Sequence, residues 1–124
     1  MANTGIFLSN GSTGAITDTI TIATGDSTLD SREIVENLTS VTEKVLFVEC
    51  ADDDVATPTI AISISLKYGD GWTDWTEIQS ATAVPTDFQV SFYDQSWHKK
   101  CHGVKFRFTK SGAGAVTFTN GNLI

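Results

Sequence analysis

Alternation of apolar and polar residues is the dominant pattern along the chain. The longest run covers residues 60–68, and its apolar side consists of Ile60, Ile62, Ile64, Leu66 and Tyr68. A period of two places successive side chains on opposite faces of a β-strand, so one face is buried and the other is solvated. Because this run is the longest, we expect it to form a central strand of the core.

Shorter runs of the same kind predict further strands. Residues 16–23 alternate, with Asp18 interrupting an apolar side otherwise made by isoleucines. Residues 104–109 alternate as well, and the pattern resumes at residues 116–119 after a glycine-rich segment. We interpret these last two runs as the arms of a β-hairpin. The remaining strands are predicted at residues 5–9, 44–51, 72–79 and 87–93.

These runs add up to about eight strands, separated by turn residues such as Asn10-Gly11 and Gly69-Asp70-Gly71. Strands of this number and spacing predict an all-β fold, an antiparallel β-sandwich of the jelly-roll or immunoglobulin-like Greek-key type. The length of 124 residues suits a single domain over residues 1–124. Residues 30–41 also fit a short helix with a capping box, but their Thr and Val content favours a strand.

Composition supports a β-rich protein folded in water. The chain is 40% hydrophobic and contains 18 Thr and 11 Ser residues, which excludes a helical bundle. No apolar stretch approaches the roughly 18 residues of a membrane helix, and the first residues do not resemble a secretory signal. We therefore expect synthesis in a cytosol and no membrane partner.

The charges are unevenly distributed along the chain. The net charge is −7, which argues against nucleic acid as a partner, because nucleic acids bind basic surfaces. All 15 acidic residues lie at or before Asp94, whereas five basic residues and no acid follow it. The favoured interpretation is pairing of basic and acidic strands within one molecule. The alternative is a head-to-tail contact between copies of the chain.

Two cysteines and two histidines are the candidates for a metal site. His98, Cys101 and His102 lie close in sequence, and Cys50 would complete a zinc site. On an extended strand Cys101 and His102 point to opposite faces, so we expect no metal and two buried, reduced thiols instead of a disulfide. Because no catalytic or phosphate-binding motif occurs, we expect no enzyme activity and no cofactor.

Aromatic residues are concentrated between residues 68 and 97, including all three tryptophans. Trp72 and Trp75 are three residues apart, so on a regular strand they face opposite sides unless a β-bulge intervenes. We interpret these rings, together with Trp97, as packing or protein-contact residues. The alternative is a sugar-binding site in which an exposed ring stacks on a glycan.

The stretch from Lys67 to Ile78, Lys-Tyr-Gly-Asp-Gly-Trp-Thr-Asp-Trp-Thr-Glu-Ile, resembles a strand–turn–strand element of small β-sandwich virion proteins of tailed bacteriophages. It is also loosely similar to an Asp-box hairpin. The phage resemblance implies a capsid decoration (cement) protein that binds and stabilises the head lattice. It alternatively implies a tail, neck or fibre component. The implied location is the virion, after synthesis in the host cytoplasm.

The implied partners are other virion proteins, either the major capsid protein or tail proteins. The opposed charge blocks also predict association between copies of the chain, with a trimer favoured. A carbohydrate-binding β-sandwich module is the alternative from another functional class. The candidate interface residues combine the tryptophans with the basic residues near the end of the chain. They are Trp72, Trp75, Trp97, Lys99, Lys100, Lys105, Arg107 and Lys110.

Overall fold

The computed structural model of the chain describes residues 4–9, 14–23, 27–35, 45–52, 58–84, 86–91 and 101–123. These residues form thirteen β-strands and no helix. They therefore contain no membrane-spanning helix. The strands are β1 Thr4–Gly5, β2 Phe7–Leu8, β3 Ile16–Thr17, β4 Ile20–Ile22, β5 Thr28–Asp30, β6 Ile34–Val35, β7 Val45–Asp52, β8 Thr59–Tyr68, β9 Gly71–Trp72, β10 Thr76–Ala83, β11 Thr86–Ser91, β12 Gly103–Ser111 and β13 Val116–Leu123.

Two antiparallel sheets contain most of these strands. The first, which we call sheet I, has the order β1-β13-β7-β11, and β4 pairs with β13 beside β1. The second, sheet II, has the order β10-β8-β12-β5, with β9 continuing the β10 edge and β6 the β5 edge. A small sheet joins β2 to β3. Each main sheet is therefore four strand positions wide among the described residues.

The connections between the sheets identify the topology. Three positions are each shared by two strands, namely β1 with β4, β5 with β6 and β9 with β10, which leaves eight strand positions in the two main sheets. Numbered along the chain, these positions run 1-8-3-6 across sheet I and 2-7-4-5 across sheet II. Every connection crosses from one sheet to the other except the β8 to β9–β10 hairpin. This is the order of a jelly roll, a sandwich built from two Greek keys. The structure thus confirms the predicted antiparallel sandwich and selects the jelly roll.

The predicted hairpin between residues 104–109 and 116–119 is wrong. β12 pairs with β8 in sheet II, whereas β13 pairs with β7 in sheet I. Gly112 and Gly114 in the connection have φ angles of 98° and 95°, which only glycine adopts readily, and they let the chain turn from one sheet to the other. Alternation predicts both strands correctly but does not say which strand each one pairs with.

The core lies between the two sheets and is centred on three phenylalanines. The Phe108 ring of β12 lies 4.8 Å from the Phe118 ring of β13, and Phe7 lies 5.6 and 5.2 Å from them. Such separations are those of favourable aromatic pairs. A Cβ atom on Gly121 would lie 2.5 Å from the Phe7 ring, so only glycine fits there.

The prediction for residues 60–68 is confirmed. β8 pairs with β12 on one side and with β9 and β10 on the other, so it is an interior strand of sheet II. Ile60, Ile62, Ile64 and Leu66 are buried, and Tyr68 is partly buried at the end of the run.

Two other expectations are modified by the structure. The run 16–23 is not one strand, because the chain breaks at residues 18–19 between β3 and β4, and Ile16 is 60% exposed. Segment 30–41 is described as far as Val35, where Asp30 ends β5, residues 31–33 are neither helix nor strand, and Ile34–Val35 form β6; its remainder lies outside the described residues. The interruption falls at Asp18, where a charged residue occupies the apolar side of the pattern.

Replacing Ile62 or Ile64 by alanine tests the core. Each side chain is buried between the sheets, so either change should lower the free energy of unfolding by about 2–5 kcal/mol. Ser63→Ala on the solvent side of the same strand is the matched control and should change stability by less than about 0.5 kcal/mol. Urea unfolding measures all three, and equal effects of Ile62→Ala and Ser63→Ala would contradict the assigned faces.

Candidate functional site

A β-bulge brings Trp72 and Trp75 onto the same face of sheet II. Lys67 is paired with Trp72 and Ile64 with Thr76, so three residues of the returning strand oppose two residues of β8. An extra residue reverses the alternation, because side chains beyond it point to the other face. Both indoles therefore lie on the outer face, as expected when a β-bulge lies between them.

Hydrogen bonds to Thr73 hold the bulge in place. The Thr73 backbone amide donates to the Leu66 carbonyl at 2.9 Å, and the Leu66 amide donates to Thr73 Oγ1 at 3.0 Å. The Ser65 hydroxyl donates to the Thr73 carbonyl at 2.6 Å. Ser65 is buried although it lies on the outer side of β8, so this segment covers it. The turn before it uses Gly69 at a φ of 59°.

Basic side chains of β8 and β12 contact the two indoles. Lys105 Nζ lies 4.6 Å from the centre of the Trp72 ring and 5.4 Å from that of Trp75. Arg107 Cζ lies 4.4 Å from the Trp75 ring, and Lys67 Nζ lies 6.0 Å from the Trp72 ring. These are cation–π distances. We call the set Lys67, Trp72, Trp75, Lys105 and Arg107 the aromatic-basic face.

Gly103 lies next to one of the rings. It is paired with Lys67 across β8 and β12, and a Cβ atom there would lie 3.6 Å from the Trp72 ring and 3.0 Å from the Ile34 carbonyl oxygen. The Trp72 indole thus reaches across β8 to lie over β12. A Cβ atom at position 103 would be in ordinary van der Waals contact with the ring, and its tightest contact would be with the Ile34 carbonyl.

Arg107 is also bound to an acid within the molecule. Its Nε and Nη2 atoms donate to the two Asp30 carboxylate oxygens at 2.7 and 3.0 Å, and this hydrogen bonding raises the Arg107 pKa. Both side chains are more than a third exposed, so such a pair contributes about 0–1 kcal/mol. Within the described part of the chain, Lys67 and Lys105 form no ion pair.

The structure separates Lys110 from the other candidates. Lys110 is paired with Ile60, so its side chain points inward, and it is 5% exposed. Its ammonium group donates to the Gly114 carbonyl at 2.6 Å and to the Ala23 carbonyl at 3.3 Å. Lys110 thereby ties the β12–β13 connection to the end of β4. Trp97, Lys99 and Lys100 lie outside the described residues.

The candidate metal ligands are placed as follows. Cys50 and Cys101 are buried and are not joined in a disulfide, and burial raises the pKa of the Cys101 thiol. His102 is exposed, and His98 lies outside the described residues. In the described ranges no three His, Cys, Asp or Glu side chains are grouped closely enough to hold a metal ion.

Sequence reasoning missed two members of this site. Lys67 lies on the polar side of the 60–68 run, two residues before the turn. Its position relative to the turn could have indicated that it pairs with Trp72 on the returning strand. Asp30 pairs with Arg107 across 77 residues, and no local pattern indicates such a contact.

Comparison with family models and with curated proteins gives no match. Among solved structures, the chain is similar to the CBM22-1 xylan-binding domain of Paenibacillus barcinonensis Xyn10C, at 13% identity and a TM-score of 0.52, covering 99% of this chain and 96% of that one. The chain is also similar to the CBM22-1 and GH10 modules of Clostridium thermocellum endo-1,4-beta-D-xylanase 10B, complexed with xylohexaose. The identity is 12% and the TM-score 0.55, and the match covers 98% of this chain and 27% of that one.

A chain of the Gt strain of infectious bursal disease virus is similar at 14% identity and a TM-score of 0.52, covering 85% of this chain and 30% of the viral one. This chain therefore spans about a third or less of the viral and xylanase chains. At these identities the comparisons establish a shared β-sandwich jelly-roll fold.

Two lysines of β12 allow the buried and surface roles to be compared. Lys110→Met leaves the Gly114 and Ala23 carbonyls without this donor and should lower the free energy of unfolding by about 1–3 kcal/mol. Lys105→Met, the matched control on the outer face, should change it by less than about 1 kcal/mol. Urea unfolding measures both, and a larger loss at Lys105 would contradict the assignment of Lys110 as the structural lysine.

Proposed function

We propose that this protein is a non-enzymatic structural protein of a virion that works by protein–protein contact through its aromatic-basic face. The specific role we propose is that of a capsid decoration protein, which binds and stabilises the head lattice of a tailed bacteriophage. It would be located in the virion after synthesis in the host cytoplasm. A tail, neck or fibre position is the closest variant of the same role.

The observation that carries this proposal is the placement of two indoles and three cations on one outer sheet face. Trp and Arg are among the commonest anchors of protein interfaces, whereas most other surface residues contribute little. The jelly-roll fold shared with the viral chain supports a place in a particle. The phage-like stretch from Lys67 to Ile78 forms the hairpin that presents both indoles.

Protein contact is favoured over sugar binding by the way the rings are occupied. A cation lies 4.4 Å from the Trp75 ring centre and another lies 4.6 Å from that of Trp72. A sugar ring stacks on an open aromatic face, so a glycan would compete with these cations for that side of each indole. A protein surface that brings carboxylates would instead use the rings and the cations together.

Carbohydrate binding is the second candidate, favoured by a specific comparison. The xylan-binding domain is matched over nearly its whole length, as a complete module and not as part of a larger chain. Trp72 and Trp75 on one face would then form the platform for a polysaccharide. This candidate also needs no enzyme activity, since the matched domain is a binding module.

Co-sedimentation with phage head particles that lack the protein tests the proposed role. The wild-type protein should sediment with the particles, and Trp72→Ala or Trp75→Ala should weaken binding about 30-fold or more, as expected for anchor residues. Ile16→Ala is the matched control, because it removes an exposed apolar side chain outside the aromatic-basic face and should leave binding unchanged.

Titration with xylohexaose and a glycan array examines the second candidate with the same variants. We expect no specific binding. Binding of a glycan that disappears in Trp72→Ala, with an unchanged circular dichroism spectrum, would contradict the virion role for this face. So would failure of the wild-type protein to bind any head or tail particle from its source.

A further inference from the structure

The outer face of sheet I carries two acidic residues directly opposite each other. Asp87 of β11 is paired with Glu49 of β7, and the alternation of buried and open positions in β7 places both side chains on the outer side. Asp87 is exposed and Glu49 is partly exposed. In the described part of the chain neither carboxylate forms an ion pair. We call these two residues the acidic pair.

Such an arrangement is unfavourable in an isolated molecule. Directly opposed residues of an antiparallel pair have Cβ atoms about 4.5–5.5 Å apart, and like charges at that separation destabilise the sheet. Phe47, two residues before Glu49 in β7, is only partly buried and lies on the same side. The acidic pair is therefore next to apolar surface that an aromatic ring can contact.

Sheet II carries the complementary arrangement on its own outer face. Lys67 is paired with Gly103 and Lys105 with Ser65, so the two lysines are diagonal neighbours on adjacent strands. Both ammonium groups lie within 6.0 Å of the Trp72 ring centre. Arg107 already binds Asp30, so the charge available to an outside anion belongs to Lys67 and Lys105.

We propose that the occupant of the aromatic-basic face is a second copy of this chain, which presents its acidic pair to Lys67 and Lys105. The two pairs carry opposite charge and neutralise each other in this contact. Phe47 of the incoming copy supplies apolar surface to the indoles. The inference rests on the protein-contact part of the proposed function and names a second copy, in place of the head lattice, as the partner bound at this face.

The position of the two faces determines the form of the assembly. They lie on opposite outer sides of one sandwich, so each copy uses a different face toward each neighbour. Such a head-to-tail contact is heterologous and does not close on itself in a dimer. Because the faces point away from each other, we expect an open stack that grows with concentration, in place of the trimer favoured from the sequence.

Sedimentation velocity at several salt concentrations is the first measurement. At about 0.01 M salt, where charges act over about 30 Å, the wild-type protein should associate increasingly with concentration. At about 1 M salt, where this range is about 3 Å, association should weaken at least tenfold. A wild-type protein that stays monomeric at both salt concentrations would overturn the inference.

Charge exchange between the two faces is the decisive test. Lys67→Glu with Lys105→Glu, and separately Glu49→Lys with Asp87→Lys, should each reduce self-association at least tenfold. An equimolar mixture of the two double variants should associate again, because each retains the native face that the other needs. The quadruple variant should associate with itself. Asp18→Lys, a charge reversal outside both faces, should behave as wild type.

The remaining outcomes separate this inference from the proposed function. Circular dichroism confirms that each variant is folded. If Trp72-dependent particle binding persists while the charge-exchange mixture remains monomeric, the partner is another protein, so the inference is overturned and the virion role stands. If charge exchange restores self-association but no particle binds, the inference stands and the virion role falls. Trp72-dependent glycan binding by a monomeric protein would overturn both.

Discussion

The contact between Phe108 of β12 and Phe118 of β13 is the constraint on which the rest of the structure depends. It joins the two sheets across the core, with ring centres 4.8 Å apart. Once Phe106 and Phe108 point inward, the alternation of β12 places Lys105 and Arg107 outward. The same register that builds the core therefore also presents the cations of the aromatic-basic face, so neither can shift without the other.

The second requirement is the β-bulge after β9. Without the extra residue, Trp75 would point toward the interior while Trp72 stayed outside, and the two indoles would not share the ammonium group of Lys105. Thr73 fixes the bulge through both its backbone and its hydroxyl group. These hydrogen bonds hold the segment between β9 and β10, which carries Trp75, against β8.

Much of the fold follows from the sequence because burial on one face imposes a period of two. That constraint gave the interior strand at residues 60–68 and the strands around Phe106 and Phe118. It does not encode which strands pair, so a connection between sheets was mistaken for a hairpin. Lys110 was predicted to be an interface residue because it belongs to the basic block near the end of the chain; the carbonyls that hold it come from Ala23 and Gly114, and only the folded chain brings both to it.

The arrangement of charge was visible in the sequence as a block of basic residues near the end, but its meaning depends on the sheet. Arg107 satisfies the intramolecular interpretation, because Asp30 on the neighbouring strand binds it. Lys67 and Lys105 do not, and neither do Glu49 and Asp87 on the opposite side of the sandwich. Placing like charges together lowers the stability of a single copy. The proposed contact between copies would bring these two pairs of opposite sign, which lie on opposite faces of the sandwich, against each other.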